Sequence, residues 1–439
     1  MMASATRPNI LFIVVDDCGY ADLGCTGQND YATPVLDRLA AEGVRFTQAY
    51  ANASLCTNTR VALMTGRYQY RLPIGLVEPL RWTDRDKPEM GLPPGFPTLP
   101  SLLRDAGYAT ALIGKWHLGY LPKYGPLKSG YDEFFGVMGG FTGYYTHLGD
   151  AGEHDFFEGE TPLDKHGYVT DLLSDRAADW VTAKSGGDQP YFLSLHYTAP
   201  HWPWSAPSVE TAARQREAVR SEITEGGSTR IYGEMMQVLD AGIGRVLDAV
   251  RRGNNAGGRD TLVLFTSDNG GERFSKIWPF VGRKFDLLEG GLRVPQICRW
   301  PGRIPAGWVT DQVCITMDLT ATCLAAAGVA ASPEYPLEGV DLLPVLTGAA
   351  PASERTLYWR MRNRYQRAVR RGGWKYLKVA EREFLFDIEY DPRERGDLSK
   401  KQPALLDELR ALWKEWDRDM LPLPDDAQMP MSNLSEMLW

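Results

Sequence analysis

Asn9-Ile10-Leu11-Phe12-Ile13-Val14-Val15-Asp16-Asp17 is an unbroken apolar run that stops at two carboxylates. A continuous rather than alternating hydrophobic stretch marks a strand buried on both faces. Three further runs repeat the pattern. Thr110–Ile113 leads into Gly114-Lys115-Trp116-His117, and Tyr191–Leu195 into His196 and then Ala199-Pro200-His201. Thr261–Phe265 leads into Ser267-Asp268-Asn269-Gly270-Gly271. Helical patterns lie between them: Pro34–Glu42 before Gly43, Leu99–Ala106 before Gly107, and Tyr232–Arg252 before Gly253. Strands alternating with helices predict an α/β fold with a large central, mostly parallel sheet and helices on both faces. Such sheets bind ligands beyond the carboxyl ends of their strands. Four strands therefore deliver four polar clusters to one edge.

The texture changes near residues 345–355, where Thr347–Pro351 is small and turn-prone. Residues 1–350 are read as a large α/β domain and residues 351–439 as a smaller C-terminal domain. In the latter, Leu357–Arg360, Ala368–Arg370, Trp374–Val379 and Phe384–Ile388 read as short antiparallel strands. Pro403–Met420 reads as a covering helix, with apolar Leu405, Leu406, Leu409, Leu412 and Trp416. The last twenty residues, rich in Pro and Met, suggest an arm over a second copy in a homo-oligomer.

Composition excludes several classes. With 48 Lys+Arg against 56 Asp+Glu the net charge is −8, and no basic stripe marks a nucleic-acid partner. No apolar run approaches the ~18 residues of a membrane span. Met1–Pro8 is short and polar, unlike a secretory signal, so the expected location is cytoplasmic. The six cysteines (Cys18, Cys25, Cys56, Cys298, Cys314, Cys323) form no CxxC pair and no disulfide framework.

Asp16, Asp17, Asp268 and Asn269 are hard oxygen donors without imidazole or thiolate, a set suited to Ca²⁺ or Mg²⁺. Adjacent aspartates at a strand end repel unless a cation lies between them. Lys115, His117, His201 and Lys284 add positive or proton-donating groups, which together describe a site for a tetrahedral oxyanion. Cys56 precedes Thr57 and Thr59, read as capping residues of a helix over Val61–Met64. A helix N-terminus favours anions, and Arg60 projects near the same end.

The motifs in order resemble those of the type I, formylglycine-dependent sulfatases of the alkaline phosphatase superfamily, over nearly the whole chain. They are Arg7-Pro8-Asn9-Ile10 through Asp16-Asp17, Cys56 through Gly66-Arg67, Gly114-Lys115-Trp116-His117-Leu118-Gly119 and Ala199-Pro200-His201-Trp202-Pro203. Thr266-Ser267-Asp268-Asn269-Gly270, Gly282-Arg283-Lys284 and Glu289-Gly290-Gly291-Leu292-Arg293-Val294-Pro295 complete the set. The resemblance implies an arylsulfatase-like sulfuric ester hydrolase that binds Ca²⁺, or Mg²⁺, through Asp16, Asp17, Asp268, Asn269 and the group derived from Cys56. It implies that a formylglycine-generating maturation enzyme oxidises Cys56 and that the aldehyde hydrate supplies the attacking oxygen. Arg60 and Lys115 would hold the hydrate, and His117 would take its proton as sulfate leaves. His201 and Lys284 would bind sulfate oxygens, with His201 a proton donor to the leaving alcohol. His147 and His196 would contact substrate, His196 equally well from behind other side chains.

One departure stands out. Asn58 and Thr59 occupy the places where the family pattern has Pro or Ala and then usually Ser. Three readings follow: a sulfate ester hydrolase, a phosphodiester or phosphonate monoester hydrolase on the same scaffold, and a catalytically silent sulfatase-like binding protein. The acidic balance disfavours polysulfated polymers and points to a small sulfate ester. Phe141, Tyr144, Tyr145, Trp202, Trp204, Trp278 and Phe280 are candidate aromatics of the cavity mouth.

Overall fold

A computed structural model describes residues 7–208, 226–257 and 259–423. Ten strands form the main sheet. Its centre is Asn9–Val15, flanked by Thr261–Ser267 and Tyr191–His196, all three parallel; Ala109–Lys115 and Glu133–Val137 extend the parallel set beyond Tyr191–His196. On the other side, Gln296–Arg299 joins Thr261–Ser267 antiparallel and leads to Val44–Phe46 and Trp308–Thr310. The strands Phe157–Glu158 and Thr161–Pro162 close the far edge as a hairpin.

The central strand shows why its sequence is apolar at every position. Leu11, Ile13 and Val15 pack on one face against Leu173, Ala177 and Val181 of helix Val169–Ser185 and Met235, Leu239 and Ile243 of helix Thr229–Gly257. Ile10, Phe12 and Val14 pack on the other, against Val61 and Met64 of helix Cys56–Thr65, Leu103 of helix Leu99–Asp105 and Leu319 and Leu324 of helix Met317–Ala327. Side chains alternate along a strand, so a strand between two helical layers needs apolar residues of both parities.

The second sheet is an antiparallel meander of Thr356–Met361, Gln366–Arg371, Trp374–Val379 and Arg382–Asp387. Val369, Tyr376 and Leu385 on one face meet Leu406, Leu409 and Trp413 of helix Pro403–Asp417. Leu357, Trp359, Met361 and Leu377 join a core with Tyr50, Leu55, Ala62, Leu287 and Ile315 of the large layer. The small sheet therefore lies between its own helix and the main body. Residues 1–6 of the polar N-terminus and residues 424–439 of the tail arm lie outside the described residues. No described helix is long and apolar enough to cross a membrane.

Candidate active site

Strand register decides which polar clusters meet. Val15 pairs with Ser267, and His196 lies between Val14 and Gly114. Asp16-Asp17, Asp268-Asn269, Lys115 and His196 therefore emerge at one sheet edge. Asp17 and His117, just past two of these strands, have φ of 65° and 58°. Positive φ at non-glycine residues is uncommon and concentrates at functional sites.

Three carboxylates and three cations interlock there, all buried. Asp16 meets the Lys115 ammonium and lies 3.8 Å from Arg60 Nη2. Arg60 Nε and Nη2 both reach Asp268 Oδ2 at 2.9 Å, while Nη1 donates to the Lys115 carbonyl at 3.0 Å. Asp17 accepts from Asn269 Nδ2 at 2.7 Å and from Lys284 Nζ at 2.8 Å. His201 Nε2 is 3.5 Å from Asp17 Oδ2. Burial works against the Asp16 charge, but Lys115, His201 and Arg60 hold its carboxyl below the usual range. Asp268 is pushed above that range by burial and by the adjacent Asp16 charge.

The donor set suits a divalent cation. Asp16 Oδ1 and Asn269 Oδ1 are buried and accept no hydrogen bond among the described residues, a costly state unless another partner fills it. Single donor atoms of Asp16, Asp268 and Cys56 lie within 4.8 Å of one another, as do those of Asp16, Asp17 and His201. Oxygen donors dominate, as hard Ca²⁺ or Mg²⁺ requires.

Cys56 is the first residue of its helix, preceded by Leu55 in extended backbone. Thr57 and Thr59 are thus inside the helix rather than at its cap. Thr59 Oγ1 instead donates to the Ala53 carbonyl at 3.1 Å. The Thr57 hydroxyl accepts from the Leu80 N–H at 3.1 Å and lies 3.3 Å and 3.1 Å from Nδ1 and Nε2 of His117. His117 Nε2 is 2.9 Å from the Leu80 carbonyl. A carbonyl only accepts, so Nε2 carries the proton and Nδ1 keeps its lone pair. Burial, reinforced by Lys115, lowers His117 well below its ordinary value. Burial also raises the Cys56 thiol, with Lys115 and Lys284 opposing. An unmodified Cys56 therefore stays protonated and is a weak nucleophile.

A cavity of about 420 Å³ opens onto Cys56, His117, His201 and Lys284. Arg60, Lys115 and the four oxygen donors are buried next to these residues but do not form its wall. His196 does not line it either: its Nδ1 lies 3.4 Å from Arg60 Nη1, beneath the guanidinium. His147 is also outside the wall, buried with Nε2 3.0 Å from the Gly167 carbonyl and its ring stacked on Phe156. Both histidines, expected to contact substrate, make contacts within the protein here and do not line this cavity. Of the aromatics, Phe141, Trp202, Trp204 and Phe280 line the cavity. Tyr144 is buried against Tyr168, Tyr145 packs on the same ring, and exposed Trp278 stacks with Arg393. Sequence reading missed Thr57, Glu272, Asn363 and Arg364 as site residues; Arg283 stood inside a quoted motif but was given no role.

The chain matches the sulfatase family over residues 8–329, and residues 279–416 match the C-terminal region of N-sulphoglucosamine sulphohydrolase. The chain belongs to the sulfatase family. It is accordingly an enzyme of the sulfuric ester hydrolase class, as its named relatives are. It is 33% identical to N-acetylgalactosamine-6-sulfatase of Canis lupus familiaris over 374 residues, which span 80% of this chain and 68% of that protein. It is 29% identical to arylsulfatase J of Mus musculus, across 98% of this chain and 79% of that one. Among solved structures, Ps i-CgsB in complex with k-i-k-neocarrahexaose superposes with a TM-score of 0.85 at 30% identity, covering 98% of this sulfatase and 97% of that chain.

Proposed function

We propose that this sulfatase hydrolyses a small sulfate ester, using formylglycine made from Cys56 beside a Ca²⁺ or Mg²⁺ ion held by Asp16, Asp17, Asp268 and Asn269. One observation carries the reading: donor atoms of Asp16, Asp268 and Cys56 converge within 4.8 Å, at a cavity walled by Cys56, His117, His201 and Lys284. Hydrated formylglycine supplies an oxygen nucleophile where the buried thiol cannot, and the cation neutralises oxygen charge beside it.

The remaining work falls to the chain's own residues. Lys284, fixed by Asp17, and His201 present positive and proton-bearing groups to the sulfate oxygens. His201 Nδ1 donates to the Trp202 carbonyl at 2.5 Å, which leaves Nε2 facing the site. Burial and Lys284 lower His201 to about 4, so it is neutral before substrate enters. A bound sulfate monoanion raises it and favours the protonated form needed to serve the leaving alcohol. His117 Nδ1, with its lone pair free of a backbone donor, accepts the proton released as sulfate departs. Arg60 pins Asp268 and the Lys115 carbonyl, so the oxygen donors keep their positions when substrate exchanges.

A cavity of about 420 Å³ is in the range of small-molecule sites, which supports an aryl or monosaccharide ester. Asn58 bears on maturation. In the folded chain its Nδ2 donates to the Gly75 carbonyl at 2.8 Å, a structural use distinct from the extended state that a maturation enzyme reads.

The test combines mass and turnover. Conversion makes the Cys56 peptide ~18 Da lighter, SH and H being replaced by O. The converted protein with calcium is then offered aryl, choline and monosaccharide sulfates and a phosphonate monoester. A shifted peptide with preferred sulfate turnover supports the proposal. Preferred phosphonate turnover, or an unshifted peptide with no turnover, refutes it.

A further inference from the structure

The small sheet builds one wall of the cavity. Between strands Thr356–Met361 and Gln366–Arg371, Arg364 and Tyr365 have φ of 55° and 48°. Two consecutive left-handed residues make the link tight and bring Asn363 and Arg364 into the lining. The link is anchored on both sides. Buried Glu78 accepts the backbone N–H of Arg362 at 2.9 Å and of Asn363 at 3.4 Å. Gln366 donates to the Phe285 carbonyl at 2.8 Å and accepts from the Leu287 N–H at 2.9 Å. The turn is therefore tied to the segment that follows Lys284.

Charge on this wall is unbalanced. Asp286 Oδ2 accepts the Arg283 backbone N–H at 3.1 Å, and Oδ1 is 3.8 Å from Arg364 Nη1, beyond hydrogen-bond reach. The Arg283 guanidinium makes no hydrogen bond or ion pair among the described residues, although Arg283 lines the same cavity. Asp286 thus offers the two guanidinium groups a through-space attraction and no hydrogen bond, and burial disfavours the charge on that carboxylate. The other acidic groups of the wall are placed elsewhere. Glu272 interacts with Lys284 and Arg273, and Asp150 and Glu153 lie toward Tyr120. Half-buried guanidinium groups without a full complement of acceptors are suited to bind an oxyanion in bidentate fashion.

We propose that Arg283 and Arg364 form a second anion subsite, so that the preferred sulfate ester carries a further oxyanion, a carboxylate or a second sulfate, beside the scissile group. The inference rests on the sulfate ester hydrolase reading above and specifies its substrate class. Arg283 and Arg364 act as specificity-determining residues and take no part in breaking the S–O bond.

The experiment compares kcat/KM for phenyl sulfate, 3-carboxyphenyl sulfate and benzene-1,3-diol disulfate in the mature, calcium-loaded enzyme and in its Arg283→Gln and Arg364→Gln variants. The readout is the ratio of dianionic to monoanionic substrate within each protein, which cancels general damage from a substitution. A ratio of about tenfold or more in the parent, falling toward one in each variant, supports the subsite. The carboxylate and disulfate arms show which oxyanion is read. A ratio near one in the parent, or a ratio unchanged in both variants, overturns it. If no sulfate ester is turned over, the hydrolase reading fails by itself. The subsite is then judged by the ratio of Kd values for benzenesulfonate against 3-sulfobenzoate and benzene-1,3-disulfonate. Tighter binding of the dianions by about tenfold, lost in each variant, supports it; equal binding in the parent, or a preference that survives both substitutions, overturns it.

Discussion

Lys375→Met should destabilise the protein by about 3–5 kcal/mol, the cost of removing one member of a buried charge cluster. The Lys375 ammonium is fully buried between Glu289 at 2.9 Å and Glu394 at 2.8 Å. At an effective dielectric of about 20, each contact is worth roughly 6 kcal/mol of attraction, most of it offset by desolvating three charges. Without the ammonium, Glu289 keeps Arg293 and the Tyr50 hydroxyl, at 2.7 Å and 2.8 Å. Glu394 keeps the Glu289 backbone N–H at 2.7 Å. Burial already raises Glu394, and Lys375 is the largest opposing influence. The consequence reaches the active site. Glu289 begins the short helix Glu289–Leu292, whose Gly291 carbonyl accepts the Gly270 N–H at 3.0 Å and whose Gly290 N–H binds the Val281 carbonyl at 2.7 Å. These contacts brace the segments carrying Asn269 and Lys284. Urea unfolding followed by tryptophan fluorescence measures the loss. A second variant, Lys375→Met with Glu394→Gln, should recover part of it by removing the uncompensated carboxylate. A loss below about 1 kcal/mol for the single variant, or no recovery in the double one, would refute the reasoning.

Calcium at about one hundred times its Kd should stabilise the parent protein by about 2.7 kcal/mol, and Asp268→Asn should abolish most of that gain; equal melting temperatures in calcium and in chelator would count against the metal site. Glu78, raised to about 7 by burial against the pull of the Arg362 and Asn363 N–H groups, binds more protons folded than unfolded. Stability should therefore fall as pH rises from about 4.5 through 7, by about 3 kcal/mol for this one group, and Glu78→Gln should flatten that slope in urea unfolding at pH 5.5 and 8. Asn58→Ala restores a residue of the family pattern and should increase the fraction of Cys56 peptide found ~18 Da lighter. The same substitution loses the bond to the Gly75 carbonyl, at about 1 kcal/mol of stability; an unchanged converted fraction would show that Asn58 does not limit maturation.

The strands, their order of polar endings and the candidate residues that meet beyond them were legible in the chain because each is a local pattern. Asn9–Val15 is apolar at both parities since both its faces are covered, and Asp16-Asp17 marks where cover ends. Cys56, His117, His201 and Lys284 could be singled out as candidates because each stands in a short motif, and the fold brings all four to one cavity, Cys56 from the start of a helix and the others from loops. Short Glu133–Val137 and Gln296–Arg299 lacked a long enough apolar run to be seen, though they widen the sheet on both sides. His147 and His196 carried imidazoles in suggestive places, but only packing against Phe156 and beneath Arg60 decided that they face inward. Thr57 looked like a helix cap, and its hydroxyl is instead engaged by His117 and Leu80, 60 and 23 residues away in sequence. Asn363 and Arg364 had no signal at all: their place at the cavity depends on Glu78 and Gln366 tying a turn of the second sheet to the loop after Lys284. Backbone periodicity is written residue by residue, whereas a side chain's partner is chosen by contacts that exist only once distant segments have packed.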